Sequence, residues 1–190
     1  NAGLNDVEMK SILIENGFFT SFRKEVLIEA DELPFEVSDA EKSKRRDFTN
    51  IPTFTIDPAD AKDFDDALSF RQLENGLFEV GVHIADVSHY VRENSELEKE
   101  AFKRATSVYL VDRVAPMFPE RLSNIICSLR PNEDKCCFAA VFEMDAQANV
   151  KSSWFGRTVI HSQKRFTYEE AQEIIEGKEG VFKAELLQLN

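Results

Sequence analysis

Two absences narrow the classes of protein to which this 190-residue chain can belong. No apolar run approaches the ~18 residues that a bilayer-spanning helix requires, which argues against a membrane protein. The first residues contain neither the basic nor the apolar segment of a secretory signal peptide. The chain also does not begin with Met, so we expect it to be a piece of a longer protein.

Cysteine is scarce, and its spacing argues against a metal centre built on thiolates. The three cysteines, Cys127, Cys136 and Cys137, form no C-x-x-C pair, and no histidine stands at the spacing of a zinc site. Cys136 and Cys137 are adjacent in a strand-like run, so their side chains should point to opposite faces. We interpret all three as buried thiols, which predicts a reducing, cytoplasmic location.

Positive charge is also in short supply. Lys and Arg number 23 against 35 Asp and Glu, which gives a net charge of −12. Neutralisation of phosphates supplies much of the affinity of nucleic-acid-binding proteins, so we do not expect this chain to bind nucleic acid tightly by itself. The one basic run, residues 42–46, follows a capping-box pattern at residues 38–41. We interpret this run as the solvated end of a short helix.

Carboxylates, by contrast, are concentrated in the ten residues from Asp57 to Asp66, which contain five of them. A solvated turn is the ordinary interpretation of such a cluster. An EF-hand is excluded, because Lys62 or Leu68 falls where that calcium loop requires glycine. The remaining interpretation is a site for Mg²⁺, or for Mn²⁺ in its place, because carboxylate oxygens suit hard cations. Carboxylates this close together repel one another unless a cation or a bound water network offsets the repulsion.

Four blocks of sequence give this cluster a more specific meaning. The acidic spacing D-x5-D-x-D-D comes first, and VHIADVSHYV follows at residues 82–91. YLVDRVAPMFP at residues 109–119, with Leu122-Ser123 and residues 127–129, is the third block, and RFTYEEA at residues 165–171 is the fourth. These blocks, in this order, resemble the ribonuclease II/ribonuclease R (RNB) family of hydrolytic 3′→5′ exoribonucleases, and most of all bacterial ribonuclease R.

The resemblance implies an activity and a set of site residues. The activity is hydrolysis of single-stranded RNA from the 3′ end to nucleoside 5′-monophosphates, with Mg²⁺ as cofactor. Asp57, Asp63 and Asp66 would bind the metal, Asp65 would position the attacking water or the terminal nucleotide, and Asp60 would be a bystander. Tyr109 would pack on the 3′-terminal nucleotides, although it is also interpretable as an ordinary core-edge aromatic.

The pattern of elements predicts an α+β fold with a mixed or antiparallel sheet and flanking helices. Residues 1–50 are predicted to be a helical connector from N-terminal RNA-binding domains of the OB type. Residues 51–190 are predicted to be the first part of a catalytic domain. Asn75-Gly76 indicates a hairpin, and His83 is expected to be a packed strand residue rather than a metal ligand. Capping patterns predict helices after Ser95 and Thr167.

The family's later arginine, glutamate and base-stacking aromatic have no counterpart here. We therefore expect the chain alone to be weakly active or inactive. Two alternatives stay open: a non-catalytic RNA-binding or interaction module derived from the family, and a cation-stabilised structural domain. The oligomeric state is not indicated by the sequence.

Overall fold

A computed structural model describes residues 2–111 and 113–190, so Asp112 of the third sequence block lies outside the described residues. The chain divides into two compact units. The helical unit comprises Asn1–Leu33 and Ser88–Ser123, and the sheet unit comprises Pro34–Val87 and Asn124–Asn190. Among the described residues, no helix has both the length and the apolar character needed to cross a bilayer.

The sheet unit contains one mixed sheet of seven strands. Its strands are Arg46–Phe48 (β1), Thr53–Asp57 (β2), Asp66–Gln72 (β3), Phe78–Ala85 (β4), Asp134–Met144 (β7), Val150–His161 (β8) and Lys164–Thr167 (β9). The spatial order is β1-β8-β7-β4-β3-β2-β9. β1 pairs parallel to β8 and β2 pairs parallel to β9, while the other neighbours are antiparallel. The predicted α+β fold with a mixed sheet is confirmed.

Two helices cover one end of this sheet and hold the strand from which the acidic stretch begins. They are Tyr168–Ile175 (α6) and Lys183–Leu189 (α7). Phe54 of β2 and Phe166 of β9 meet edge to face at 5.6 Å, and both are buried with residues of α6 and α7. Thr167 makes the predicted capping box with Glu170, so α6 begins directly after β9.

His83 lies on the buried face of β4, as expected for a packed strand residue. Its Nε2 is 2.9 Å from the Ser69 hydroxyl and its Nδ1 is 3.1 Å from the Thr158 hydroxyl. The ring also contacts Phe48 edge to face at 4.8 Å. Burial, and then the charge of Arg46, lowers the pKa of His83 to about 4.

We expect this histidine to make folding stability depend on pH. The unfolded imidazole binds a proton below about pH 6.5, whereas the folded one stays neutral down to about pH 4. The unfolded state therefore binds more protons in that window, and the free energy of unfolding should fall by about 3 kcal/mol as the pH drops from 7 to 4. Denaturant titrations at several pH values, compared with His83→Gln, measure the effect. Parallel pH profiles for the two proteins would contradict it.

The helical unit packs short helices beside a small hairpin. Its helices are Ala2–Glu15 (α1), Lys24–Glu32 (α2) and Glu96–Arg104 (α5), and its hairpin joins Val108–Tyr109 (β5) to Val114–Ala115 (β6). Arg23, just before α2, forms ion pairs with Glu96 and Glu100 of α5. α5 begins after Ser95, whose hydroxyl accepts a hydrogen bond from the Glu98 amide, as the capping pattern predicts.

The remaining elements are short, and most lie close in sequence to the points where the chain passes from one unit to the other. Asp39–Lys42 (α3) begins after Ser38, and its predicted cap is present. Val87–Tyr90 (α4) follows β4, and Arg121–Ile126 forms a π-helix. β1 at Arg46–Phe48 belongs to the sheet although it precedes residue 51. The assignment of residues 1–50 to a connector and 51–190 to a catalytic domain stays a prediction.

Candidate active site

The acidic loop, residues 57–66, connects two neighbouring strands of the sheet. Asp57 is the last residue of β2 and Asp66 the first of β3, so the sheet itself fixes the two ends of the loop. β2 and β3 pair only through Thr53–Ser69 and Phe54–Leu68. The two strands do not pair with each other next to the loop, and Asp63 and Asp65 lie on irregular backbone.

Asp57 is the buried carboxylate of the group. It is 8% exposed, and its Oδ2 makes no well-formed hydrogen bond. Burial raises the pKa of this carboxyl, and the nearby charges of Asp66 and Asp63 raise it further, while the Thr55 hydroxyl and Arg165 act in the opposite sense. A buried carboxylate oxygen without a partner is a group that a cation would satisfy.

Asp65 is also perturbed, although much of its surface is exposed. Desolvation by the surrounding protein raises the pKa of its carboxyl, and repulsion from Asp63, Asp66 and Asp57 adds to that shift. The four carboxylates thus act on one another electrostatically, as the sequence spacing predicts. Asp60 is exposed and is not among the groups that raise either pKa.

Each of the other three sequence blocks contributes at least one hydrogen bond to the backbone of the acidic loop within the sheet unit. From residues 82–91, the Ala85 amide donates to the Asp65 carbonyl at 2.9 Å. From residues 127–129, the Leu129 amide donates to the Phe64 carbonyl at 2.8 Å, and the Ser128 hydroxyl accepts from the Phe64 amide at 3.1 Å.

The fourth anchor point is the Arg165 guanidinium, which donates to the carbonyls of Pro58 and Ala59. Ser128 and Arg165 belong to the third and fourth sequence blocks, but the sequence alone gave neither residue a role. Their partners are backbone atoms of the loop, so only the fold reveals what they do. The loop is therefore held near both of its ends.

Asp86, beside the loop, belongs to a buried ion pair. It is 2.8 Å from Arg45, and both side chains are almost completely inaccessible to solvent. Arg45 also donates to the carbonyls of Cys137 and Thr158. The interpretation of the whole basic run at residues 42–46 as a solvated helix end is thus wrong for Arg45, because its charge is matched by a carboxylate remote in sequence.

The donor chemistry of the acidic loop fits a hard cation, but the structure does not gather a complete ligand set. Among residues 2–111 and 113–190, no three His, Cys, Asp or Glu side chains are close enough together to hold a metal ion. The unpartnered oxygen of Asp57 and the mutual repulsion of the carboxylates are what a bound cation would relieve. Asp57, Asp63 and Asp66 as metal ligands, and Asp65 as a catalytic residue, stay predictions.

Tyr109, the predicted RNA contact, lies in the helical unit. It is on β5, opposite Val114 of β6, and is 67% exposed. That exposure argues against the interpretation of Tyr109 as a packed core residue. The three cysteines, in contrast, are all free thiols and buried, as the sequence predicts. Burial raises the pKa of Cys127 to about 12, so it is not a reactive thiolate.

Comparisons with known proteins agree on one family. The sequence model of the RNB domain family matches residues 45–189. Ribonuclease R 1 of Lactococcus lactis is 47% identical over 173 residues, which cover 91% of this chain and 21% of that protein. Inactive exonuclease DIS3L2 of Arabidopsis thaliana is 40% identical over 175 residues, which cover 92% of this chain and 17% of that protein.

A solved structure gives the same result. The Mycoplasma genitalium RNase R in complex with ribose methylated single-stranded RNA superposes with a TM-score of 0.84 at 32% identity. The match covers 92% of this chain and 27% of that one. The chain therefore spans about a fifth of the length of the curated relatives named here.

Proposed function

This chain belongs to the RNB domain family, and from that membership we propose that it is the part of a 3′→5′ exoribonuclease that carries the essential carboxylates. The substrate is single-stranded RNA and the products are nucleoside 5′-monophosphates. The observation that carries the proposal is the acidic loop, in which four carboxylates at the family spacing repel one another and the backbone is anchored by the other three sequence blocks.

In this proposal three aspartates bind the metal ion and a fourth positions the attacking water. Asp57, Asp63 and Asp66 would hold Mg²⁺, or Mn²⁺ in its place, which when bound supplies charge neutralisation at the scissile phosphate and lowers the pKa of water. Asp65 accepts a hydrogen bond from the attacking water and orients it towards the phosphorus atom.

The RNA grip is proposed to lie largely outside these 190 residues. The net charge of −12 opposes binding of a polyanion, so flanking RNA-binding domains of the OB type would supply most of the affinity. The RNase R of Mycoplasma genitalium was solved with single-stranded RNA, which supports that class of substrate. A cytoplasmic location is part of the same proposal.

A non-catalytic module derived from the family is the second candidate. The similarity to a relative named as an inactive exonuclease shows that this sequence type also occurs in proteins without turnover. The complete set of four acids, with perturbed pKa values at Asp57 and Asp65, favours the catalytic candidate.

A time course on 5′-labelled single-stranded RNA, with Mg²⁺ or with EDTA, tests the proposal. The 190-residue chain and any longer product of the same gene are compared. Stepwise shortening by the longer protein that EDTA abolishes is the expected result, with little or none from the chain alone. Binding without shortening under any divalent metal would favour the non-catalytic module.

Tyr109→Ala in the active protein should leave hydrolysis running but change the length of the final product. The reason is that stacking of an aromatic ring on a base contributes about 1–3 kcal/mol, which matters most when few nucleotides remain bound. Denaturing gels of the reaction end point measure the product length. An end product of unchanged length would return Tyr109 to a purely structural role.

A further inference from the structure

Arg165 touches the acidic loop at two separate places. The residue lies on β9, opposite Thr55 of β2 in the parallel register. Its Nη2 donates to the Pro58 carbonyl and, at 3.1 Å, to the Ala59 carbonyl. The centre of the guanidinium also lies 5.4 Å from the centroid of the Phe64 ring. One side chain thus connects the beginning of the loop with a residue near its end.

Each of the two contacts lies directly beside predicted site residues in the sequence. Pro58 and Ala59 follow Asp57 directly, and Phe64 stands between Asp63 and Asp65. Phe64 is fixed by its backbone as well, because its amide and carbonyl both bond to the segment at Ser128 and Leu129. The Phe64 ring therefore lies against Arg165 while its backbone is bonded to a different segment.

Only arginine meets both requirements at this position. The planar guanidinium offers several donors in a fixed arrangement and a flat face that stacks on an aromatic ring. A lysine ammonium could donate to the same carbonyls, but it has no planar face for Phe64. Arg165 is also a cation near the buried Asp57 carboxylate and lowers the pKa of that group.

We propose that Arg165 is a positioning residue that orders the acidic loop before cation and RNA arrive. It acts through the loop backbone and the Phe64 ring and does not itself contact the reacting atoms. Its importance for catalysis rests on the proposed exoribonuclease function, but the ordering of the loop does not. Groups that are held in place beforehand need no reorganisation when the substrate binds, which is why such ordering raises the rate.

Hydrogen exchange of the 190-residue chain, followed by mass spectrometry, tests the ordering directly. In Arg165→Gln, amides of residues 59–65 should exchange at least about 10-fold faster, because their local opening no longer breaks the contacts of Arg165. Arg165→Lys should fall between the wild type and Arg165→Gln. Exchange in β3 and β4 should stay unchanged. Arg130→Gln is the matched control, since the side chain of this half-exposed arginine forms a 3.9 Å ion pair with Glu133.

A second measurement separates this proposal from the proposed function. Titration of each variant with Mn²⁺, followed by electron paramagnetic resonance, should show weaker binding to Arg165→Lys, which keeps the positive charge near Asp57, and unchanged binding to Arg130→Gln. Unchanged exchange in residues 59–65 of Arg165→Gln would overturn the proposal, as would acceleration spread evenly over the sheet. If the wild type bound no Mn²⁺ but the loop still lost protection selectively, the positioning role would stand and the metal-dependent function would fail.

Discussion

Asp65→Asn is expected to reduce the rate of RNA shortening by about 10³-fold in the active protein, while RNA affinity stays largely unchanged. Asparagine keeps the shape of the side chain but accepts no proton and carries no charge. The Asp65 backbone anchor, in which its carbonyl accepts from the Ala85 amide, does not involve the side chain and survives the substitution. The defect should therefore lie in the chemical step, and single-turnover kinetics with saturating enzyme would measure it.

Asp60→Asn is the matched control for this result. Asp60 lies in the same loop and loses the same charge on substitution, but it is exposed and does not contribute to the shifts of Asp57 or Asp65. It should keep nearly the full rate. Near-normal turnover by Asp65→Asn would contradict the catalytic role of Asp65. Equal losses of rate in the two variants would mean that the loop acts only through its total charge.

Arg45→Ala is expected to destabilise the sheet unit by about 3–5 kcal/mol, because it leaves the Asp86 carboxylate buried without its main partner. The two side chains of this pair are 0% and 2% exposed. The substitution also removes the hydrogen bonds to the carbonyls of Cys137 and Thr158. Arg157, 3.6 Å from Asp86, offers partial compensation, which places the expected loss at the lower end of the range. Denaturant unfolding of the 190-residue chain measures it.

Lys151→Ala is the comparison that isolates burial. The Lys151–Asp145 ion pair has the same 2.8 Å separation as Arg45–Asp86, but the lysine side chain is 49% exposed. Removal of an exposed partner should cost no more than about 1 kcal/mol. A similar loss for both variants would contradict the argument from burial. In the double variant Arg45→Met/Asp86→Leu, much of the stability should return, since no unpaired charge remains in the interior.

Local chemistry predicted a large part of the fold. Side-chain caps at Ser38, Ser95 and Thr167 act on amides three residues away, so they can be recognised from the sequence alone. The hairpin at Asn75-Gly76 is equally local, since Gly76 adopts the positive φ of 81° that this turn requires. The strands predicted from local patterns form the mixed sheet once they pair with one another.

Long-range partners were the part that sequence reasoning could not supply. Arg45 has the composition of a solvated basic run, and only the return of β4 brings Asp86 against it. For the acidic loop, the spacing of the acids was enough to single out the four carboxylates, and Asp57 and Asp66 lie at the end of one strand and the beginning of the next. It could not position Asp63 and Asp65, since their irregular backbone is determined by contacts with residues 128, 129 and 165.

The two parallel strand pairs have a consequence for the order in which the molecule can form. β1 pairs with β8, which places residue 46 opposite residue 158. β2 pairs with β9, which places residue 54 opposite residue 164. During synthesis both early strands wait with open edges until more than half of the chain has followed, and contacts so distant in sequence form slowly. The Arg165 contacts with the acidic loop must form in the same late step, so we expect the carboxylate loop of a nascent chain to become ordered only after β9 has left the ribosome.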